Sequence, residues 1–170
     1  MKTSRRRYAA AAAGLVISPA VAVLLPAATA LAHGYVSAPP SRQAQCAQKT
    51  VQCGQIQYEP QSVEGPKGLR SCSGGNGRFS DLDDDGKAWK AATVGKSVTF
   101  TWTFTAKHPS RDYEYYIGNT RVGMFKGDRS SLVAHTVDLS AFTGRQKVLA
   151  IWNIADTANA FYACIDLEVQ

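Results

Sequence analysis

Hydrophobic and polar positions divide the chain into three regions of different character. Residues 9–25 are almost entirely small or apolar. Residues 33–92 are rich in Gln, Ser, Pro and Gly and contain turn sequences such as 74–77, which predicts loop with short helical pieces at most. From Val94 onward the apolar residues recur at every second position, and this period indicates half-buried β-strands.

The alternation predicts the fold class. Four apolar side chains alternate with threonines at Val98, Phe100, Trp102 and Phe104. The same period or composition predicts further strands at 113–117, 133–139, 147–154 and 161–169. Short strands without helical periodicity between them predict an all-β fold, an antiparallel β-sandwich of immunoglobulin or fibronectin type III-like form. Residues 33–92 would then form a long N-terminal loop layer containing short helices.

The apolar stretch near the start predicts a secretory signal peptide. It follows basic residues, is broken by Pro19 and Pro26, and ends at 30–32 with the small-x-small pattern that signal peptidase accepts. We therefore expect residues 1–32 to be removed and residues 33–170 to remain as one secreted, extracellular domain. The run of three arginines at 5–7 leaves the general secretory and twin-arginine routes both open.

Removal of this leader changes the charge argument. The full chain has a formal net charge of +6, but four of its 19 basic residues precede His33, so 15 remain against 13 acidic residues, a balance of +2. This balance gives no reason to expect a nucleic acid partner. The sequence after the leader has no further hydrophobic span of the kind that crosses a membrane, so we expect no membrane association. We also expect a monomer.

The four cysteines are Cys46, Cys53, Cys72 and Cys164. An even count in an oxidising compartment predicts two disulfides, among three possible pairings. A bond between Cys46 and Cys53 would close a small loop, and the remaining pair would then tie the loop layer to the last strand. A zinc site is not favoured, because no C-x-x-C pair is present.

The three histidines differ in what they suggest. Cleavage would make His33 the first residue, whose free α-amine and ring Nδ1 can chelate a metal together, and nitrogen-only ligation favours copper(II). Taken alone, however, His33 could merely follow a cleavage site, and His108 could be a loop residue beyond the strongest strand. His135 is in phase with Val133 and Val137, so we expect it to be packed and hydrogen-bonded.

Other chemistries find little support. The segment 81–86 begins like a calcium-binding loop, but Ala92 occupies the position that requires a bidentate Glu, so we expect a solvated turn. Neither a nucleophile elbow nor H-E-x-x-H is present, and the spacing of the carboxylates singles out no hydrolytic pair.

Four runs of sequence resemble the bacterial lytic polysaccharide monooxygenases (auxiliary-activity family ten, formerly classed as chitin-binding proteins). The runs are HGYVSAP at 33–39, QYEPQSVEG at 57–65, TAKH at 105–108 and IADTANAFY at 154–162. They follow the family order and cover nearly the whole of residues 33–170.

The resemblance implies a role for each matching residue around a copper ion. His33, through its amine and ring, and His108, through its other ring nitrogen, would hold the metal as a histidine brace. Phe161 would lie at one axial side without coordinating, and Ala106 would crowd the other. Glu64 would position the oxygen species near copper.

The resemblance also implies the binding face and the reaction. Tyr58, Glu59, Asp156 and Asn159 would belong to a flat surface that lies on insoluble polysaccharide. The reaction would be oxidative cleavage of glycosidic bonds at C1, with dioxygen or hydrogen peroxide as co-substrate and an external electron donor. Chitin is favoured over cellulose because residues 58–65 are most similar to chitin-active members.

Three alternatives remain open on the sequence: a non-catalytic chitin-binding module, a cellulose-active member of the family, and a copper carrier. The chain also departs from better-known members. Residues 117–131 form a shorter region that lacks their second disulfide, and this chain has Cys72 and Cys164 instead.

Overall fold

The computed structural model describes residues 32–127, 130 and 132–170. The predicted signal peptide, apart from its last residue, lies outside the described residues. Within the described part, the chain forms nine strands and one α-helix, in the order β1 (His33–Ala38), α1 (Arg42–Ala47), β2 (Glu64–Pro66), β3 (Ala92–Val94), β4 (Ser97–Ala106), β5 (Ser110–Ile117), β6 (Thr120–Lys126), β7 (Val133–Asp138), β8 (Gly144–Ile154) and β9 (Asn159–Val169). Two 3₁₀ helices, Gln55–Tyr58 and Gly77–Asp83, lie in the loop layer.

The strands form two sheets, which confirms the predicted β-sandwich. One sheet has the order β1-β4-β7, and the other has the order β2-β9-β8-β5-β6, with β3 added to β9. All pairings are antiparallel except that of β3 with β9. The sequence does not predict strands β1, β2, β3 and β6, because β1 and β2 lie in the loop-rich region, β3 is a short strand at its end, and β6 lacks regular alternation.

Strand β9 separates two hydrophobic clusters. Phe161, Ala163 and Ile165 belong to the core between the sheets, which also contains Trp102 and Trp152. The intervening residues of β9, such as Tyr162 and Cys164, belong to a second cluster beneath the loop layer. Residues 160–167 are therefore buried without interruption.

Two disulfides fasten the loop layer, and they form the pairing that the sequence favours. Cys46 is bonded to Cys53, seven residues away, and Cys72 is bonded to Cys164 on β9, 92 residues away.

A buried arginine makes a further connection between the loop layer and β9. Arg42, on α1, is 2% exposed and donates through Nε to Asp166 Oδ2 at 2.8 Å. It also donates through Nη2 to Asp85 Oδ1 at 2.7 Å. The ammonium of Lys147 beside Asp85 helps to hold the pKa of that carboxyl below its usual range.

The acidic segment 81–86 makes internal contacts and is more than the solvated turn that we expected. Asp81 accepts the backbone N–H of Gly54 at 2.9 Å and forms an ion pair with Lys87, whose hydrogen bond lowers the pKa of the Asp81 carboxyl. Asp83 accepts the backbone N–H of Cys72 at 2.6 Å. These carboxylates hold neighbouring loops together.

One crossing in the loop layer requires glycine. A Cβ atom placed on Gly65, in β2, would lie 1.9 Å from the carbonyl oxygen of Gly74. Gly74 has φ of +63°, and a Cβ atom there would lie 2.9 Å from Tyr162. The two segments can cross at this point only because both residues at the crossing are glycines.

Within the described residues, no helix has both the length and the apolar composition that crossing a bilayer requires.

The two disulfides should differ in their effect on stability. Replacing Cys72 and Cys164 together by Ser should lower the free energy of unfolding by about 4–5 kcal/mol, because the bond closes a long loop in the unfolded chain. Replacing Cys46 and Cys53 should cost about 2 kcal/mol. Urea unfolding followed by tryptophan fluorescence measures both, and equal losses would contradict the chain-entropy explanation.

Candidate functional site

Pairing of β1 with β4 brings the two candidate histidines to one end of the first sheet. His33, at the start of β1, pairs with Ala106, at the end of β4. His108 follows two residues after Ala106, and its side chain is 28% exposed. Directly opposed residues of an antiparallel pair project from the same face, so Ala106 lies beside His33.

An aromatic side chain lies next to His33 at the edge of the core. The ring centroids of His33 and Phe161 are 6.5 Å apart, and the rings are tilted by 54°. Phe161 is fully buried and contacts Trp152, with ring centroids 5.1 Å apart. The apolar ring offers no donor atom, so it can limit what approaches His33 from that side without binding a metal.

A carboxylate reaches the same region from the second sheet. Glu64 pairs with Phe161 across β2 and β9, and Asn159 lies two residues before Phe161 on β9. The side-chain amide of Asn159 donates to Glu64 Oε1 at 2.8 Å. This contact fixes one oxygen of a half-buried carboxylate and leaves Oε2 free of that bond.

Two backbone contacts place these segments relative to the histidines. The N–H of Gly34 donates to Gln61 O at 3.0 Å, which ties β1 to the loop before Glu64. The N–H of Ala155 donates to Pro109 O at 2.8 Å, which ties the loop before β9 to the segment containing His108.

A second carboxylate lies close to His108. Asp156 Oδ1 lies 3.6 Å from His108 Nδ1, and that nitrogen is buried without a hydrogen bond to the described residues. The Asp156 loop is itself held by Lys67, which donates to the carbonyl oxygens of Thr157 and Ala158. A carboxylate beside one imidazole nitrogen is typical of histidines whose other nitrogen binds a metal.

The histidine donors fit copper. In the described part of the chain, no three His, Cys, Asp or Glu side chains converge as possible ligands. A centre here therefore depends on the two imidazoles and on the main-chain nitrogen of His33 as the third donor. A nitrogen-only set of this kind suits Cu(II) better than zinc or calcium.

Two of the candidate binding residues, Tyr58 and Glu59, lie in the loop layer, and the other two, Asp156 and Asn159, lie between β8 and β9 and at the start of β9. Tyr58 is 76% exposed, and its neighbour Ile56 is fully buried and anchors the 3₁₀ helix that carries it. Glu59 accepts a hydrogen bond from Arg78. Asp156 is 53% exposed, and Asn159 is partly buried.

The structure adds two residues that sequence reasoning missed. Arg78 contacts Glu59 from a separate loop, and Lys67 supports the loop of Asp156. Both lie in polar, glycine-rich sequence without periodicity, so only the folded contacts identify them.

His135 lies outside the site. Its Nδ1 is 2.8 Å from the hydroxyl of Tyr115, and its ring stacks on Phe125 with centroids 4.3 Å apart. Burial raises the pKa of the Tyr115 phenol. As expected, His135 is a packed, hydrogen-bonded residue.

Comparison with protein families gives a match over almost all of the described chain. The family described as "Lytic polysaccharide mono-oxygenase, cellulose-degrading" matches residues 33–124 and 120–167. A protein of Streptomyces ambofaciens named "Lytic chitin monooxygenase" is 57% identical over 96% of this chain and 96% of its own length. A lytic polysaccharide monooxygenase of Mycosarcoma maydis is 37% identical, and the chain spans about half of it, 52%.

Solved structures with the same fold include two proteins of this kind. The chain superposes on a lytic polysaccharide monooxygenase of Jonesia denitrificans with a TM-score of 0.76 and 43% identity, covering 81% of this chain and 100% of that one. For a Streptomyces lividans protein with the same description, the TM-score is 0.73 and the identity 37%, over 80% of this chain and 99% of that one.

The two internal histidines should respond differently to substitution. In protein whose chain begins at His33, His108→Ala should reduce copper affinity at least a hundredfold, because one imidazole ligand is lost. His135→Ala should retain copper affinity and lose about 2–3 kcal/mol of stability, because a buried hydrogen bond and ring stacking disappear. Calorimetric titration and thermal unfolding measure the two effects. Loss of copper binding in His135→Ala would refute this assignment of the second ligand.

Proposed function

This chain belongs to the lytic polysaccharide monooxygenase family, and from that premise we propose that it cleaves crystalline chitin by copper-dependent oxidation at C1 of the glycosidic bond. The observation that carries the proposal is the meeting of four segments at one edge of the sandwich. Strand β1 contributes His33, the end of β4 leads to His108, β2 contributes Glu64 and β9 contributes Phe161.

The amine and ring of His33 and the Nε2 atom of His108 would hold one copper ion. Bound there, copper supplies one-electron chemistry with dioxygen or hydrogen peroxide, driven by an external electron donor. Asp156, whose Oδ1 lies 3.6 Å from His108 Nδ1, would favour metal binding through the other ring nitrogen. Phe161 supplies no ligand atom, and its ring and the methyl group of Ala106 would limit what approaches a copper ion held by His33.

Glu64 is the group that handles protons beside this centre. Its Oε1 is engaged by Asn159, so Oε2 is the atom that exchanges a proton with the oxygen co-substrate. Fixing the carboxylate in advance reduces the reorganisation that the reaction requires.

The polymer lies on the loop layer. Tyr58 presents an exposed ring on which a sugar can stack, and Glu59, Asp156 and Asn159 would offer hydrogen-bonding groups to the same polymer. This arrangement suits a polymer surface better than a single chain enclosed in a cleft.

Chitin is the substrate that the relatives favour. The Streptomyces ambofaciens protein, which matches almost end to end, is named for chitin. The family description names cellulose, so cleavage of cellulose is the second candidate.

We also propose that residues 1–32 are a signal peptide and that residues 33–170 act outside the cell as a monomer. The family match begins at His33, the residue that the predicted cleavage would expose. The small-x-small pattern at 30–32 supports the same boundary.

Incubation of the copper-loaded protein with β-chitin and ascorbate tests the activity. Mass spectrometry should detect chito-oligosaccharides oxidised at C1, and His108→Ala should produce none. In a parallel reaction on cellulose, oxidised products should be much less abundant. If the copper-loaded protein released no oxidised products from chitin and none from cellulose, the enzymatic proposal would be overturned and a binding module would be favoured.

The amino terminus provides an independent prediction. A variant that retains Ala32 before His33 should bind copper at least a hundredfold more weakly, because the chelating nitrogen is then a peptide nitrogen and not an amine. Calorimetric titration of this variant against protein beginning at His33 measures the difference. Equal affinities would exclude the amine as a ligand.

A further inference from the structure

We infer that Arg78 and Glu59 together form a subsite for the acetamido group of an N-acetylated sugar, and that this subsite helps to set the preference for chitin over unacetylated polymers. The inference rests on the proposed function and extends it to a residue, Arg78, that lies outside the four sequence runs described above.

The backbone of Arg78 is held firmly while its side chain remains accessible. The Oδ1 atom of Asn76 accepts the N–H of Arg78 at 3.0 Å and caps the 3₁₀ helix Gly77–Asp83. The next residue, Phe79, is 1% exposed and anchors the helix in the cluster beneath the loop layer. The Arg78 side chain is nonetheless 61% exposed.

The guanidinium reaches the candidate binding face. Arg78 Nη2 donates to Glu59 Oε1, and Glu59 directly follows the exposed Tyr58. A second hydrogen bond joins the two segments, because the backbone N–H of Gly54 donates to the carboxylate oxygen Oδ2 of Asp81 at 2.9 Å. The Arg–Glu pair therefore includes the residue next in sequence to the exposed Tyr58, and two hydrogen bonds connect the two segments.

The chemistry of this pair complements an acetamido group. A guanidinium carries five N–H donors in one plane, and Glu59 engages one of its nitrogens, so donors remain for a carbonyl oxygen. Glu59 Oε2 remains able to accept an N–H. An acetamido group presents one carbonyl oxygen and one N–H, whereas a free amine or a hydroxyl at the same ring position lacks the carbonyl. The pair has no net charge, which suits a neutral ligand.

The chain contains a matched pair that serves as a control. Arg121 on β6 donates to Glu114 on β5 at 3.3 Å, and its side chain is 51% exposed. This pair joins β5 to β6 of the second sheet and includes no residue of the proposed subsite. Arg121→Met therefore removes a comparable ion pair without touching the proposed subsite.

Adsorption to two forms of one polymer tests the inference. Binding isotherms of the copper-loaded protein are measured on β-chitin and on the same material after chemical N-deacetylation, at a pH where the exposed amines are neutral. Arg78→Met should weaken adsorption to chitin about tenfold, as expected for a lost charge-assisted hydrogen bond, and should leave adsorption to the deacetylated polymer unchanged. Arg78→Lys should restore little, because one ammonium lacks the planar fork that contacts both partners. Arg121→Met should match the wild type on both materials.

Other outcomes would overturn the subsite. Equal weakening of Arg78→Met on both polymers would show that Arg78 only supports the loop, and wild-type adsorption on both would show that it has no role. Full rescue by Arg78→Lys would show that only the positive charge of Arg78 matters for adsorption, and not the planar guanidinium. Failure of the proposed function is distinguishable, because the wild type itself would then yield no oxidised products from chitin.

Discussion

Strand β9 is buried on both faces, so both faces of the sheet that contains it must be covered. The β1-β4-β7 sheet covers one face, and the loop layer covers the other. The loop layer has little regular structure with which to make that cover. It is held instead by discrete connections to β9, namely the disulfide to Cys164, the ion pair of Arg42 with Asp166, and the hydrogen bond from Gln43 to Tyr162 O at 2.8 Å. A long irregular segment becomes a fixed surface because its attachments are spaced along one strand.

The site lies where this cover ends. Phe161 and Asn159 occupy the start of β9, Glu64 reaches them through β2, and β1 brings His33 alongside. Most of these side chains come from strands that are already paired, and His108 lies in the short loop after β4. The half-exposed histidines can then remain available to a ligand, and the accessible Tyr58 can remain available to a surface.

The sequence predicts most of the sandwich and only part of the surroundings of the site. Val98, Phe100 and Trp102 alternate because β4 has one buried face, and such a local pattern is visible without a structure. Strand β1 is not predicted, since its partners are 63 or more residues away and its composition resembles a loop. The contacts of Arg42 and Arg78 join residues distant in sequence, and no local pattern encodes them. The chemistry of metal ligands and the resemblance to a family identify the two histidines in the sequence. Neither predicts how the surrounding side chains pack against them.

The crossing of Gly65 and Gly74 limits how this surface can be redesigned. The two backbones approach too closely for any side chain, so the crossing behaves as a fixed pivot between the segment that carries Tyr58 and the segment that carries Arg78. Protein engineers who seek a different polymer specificity can exchange or lengthen residues on either side of this pivot. They cannot add even a methyl group at Gly65, because it would collide with the carbonyl oxygen of Gly74.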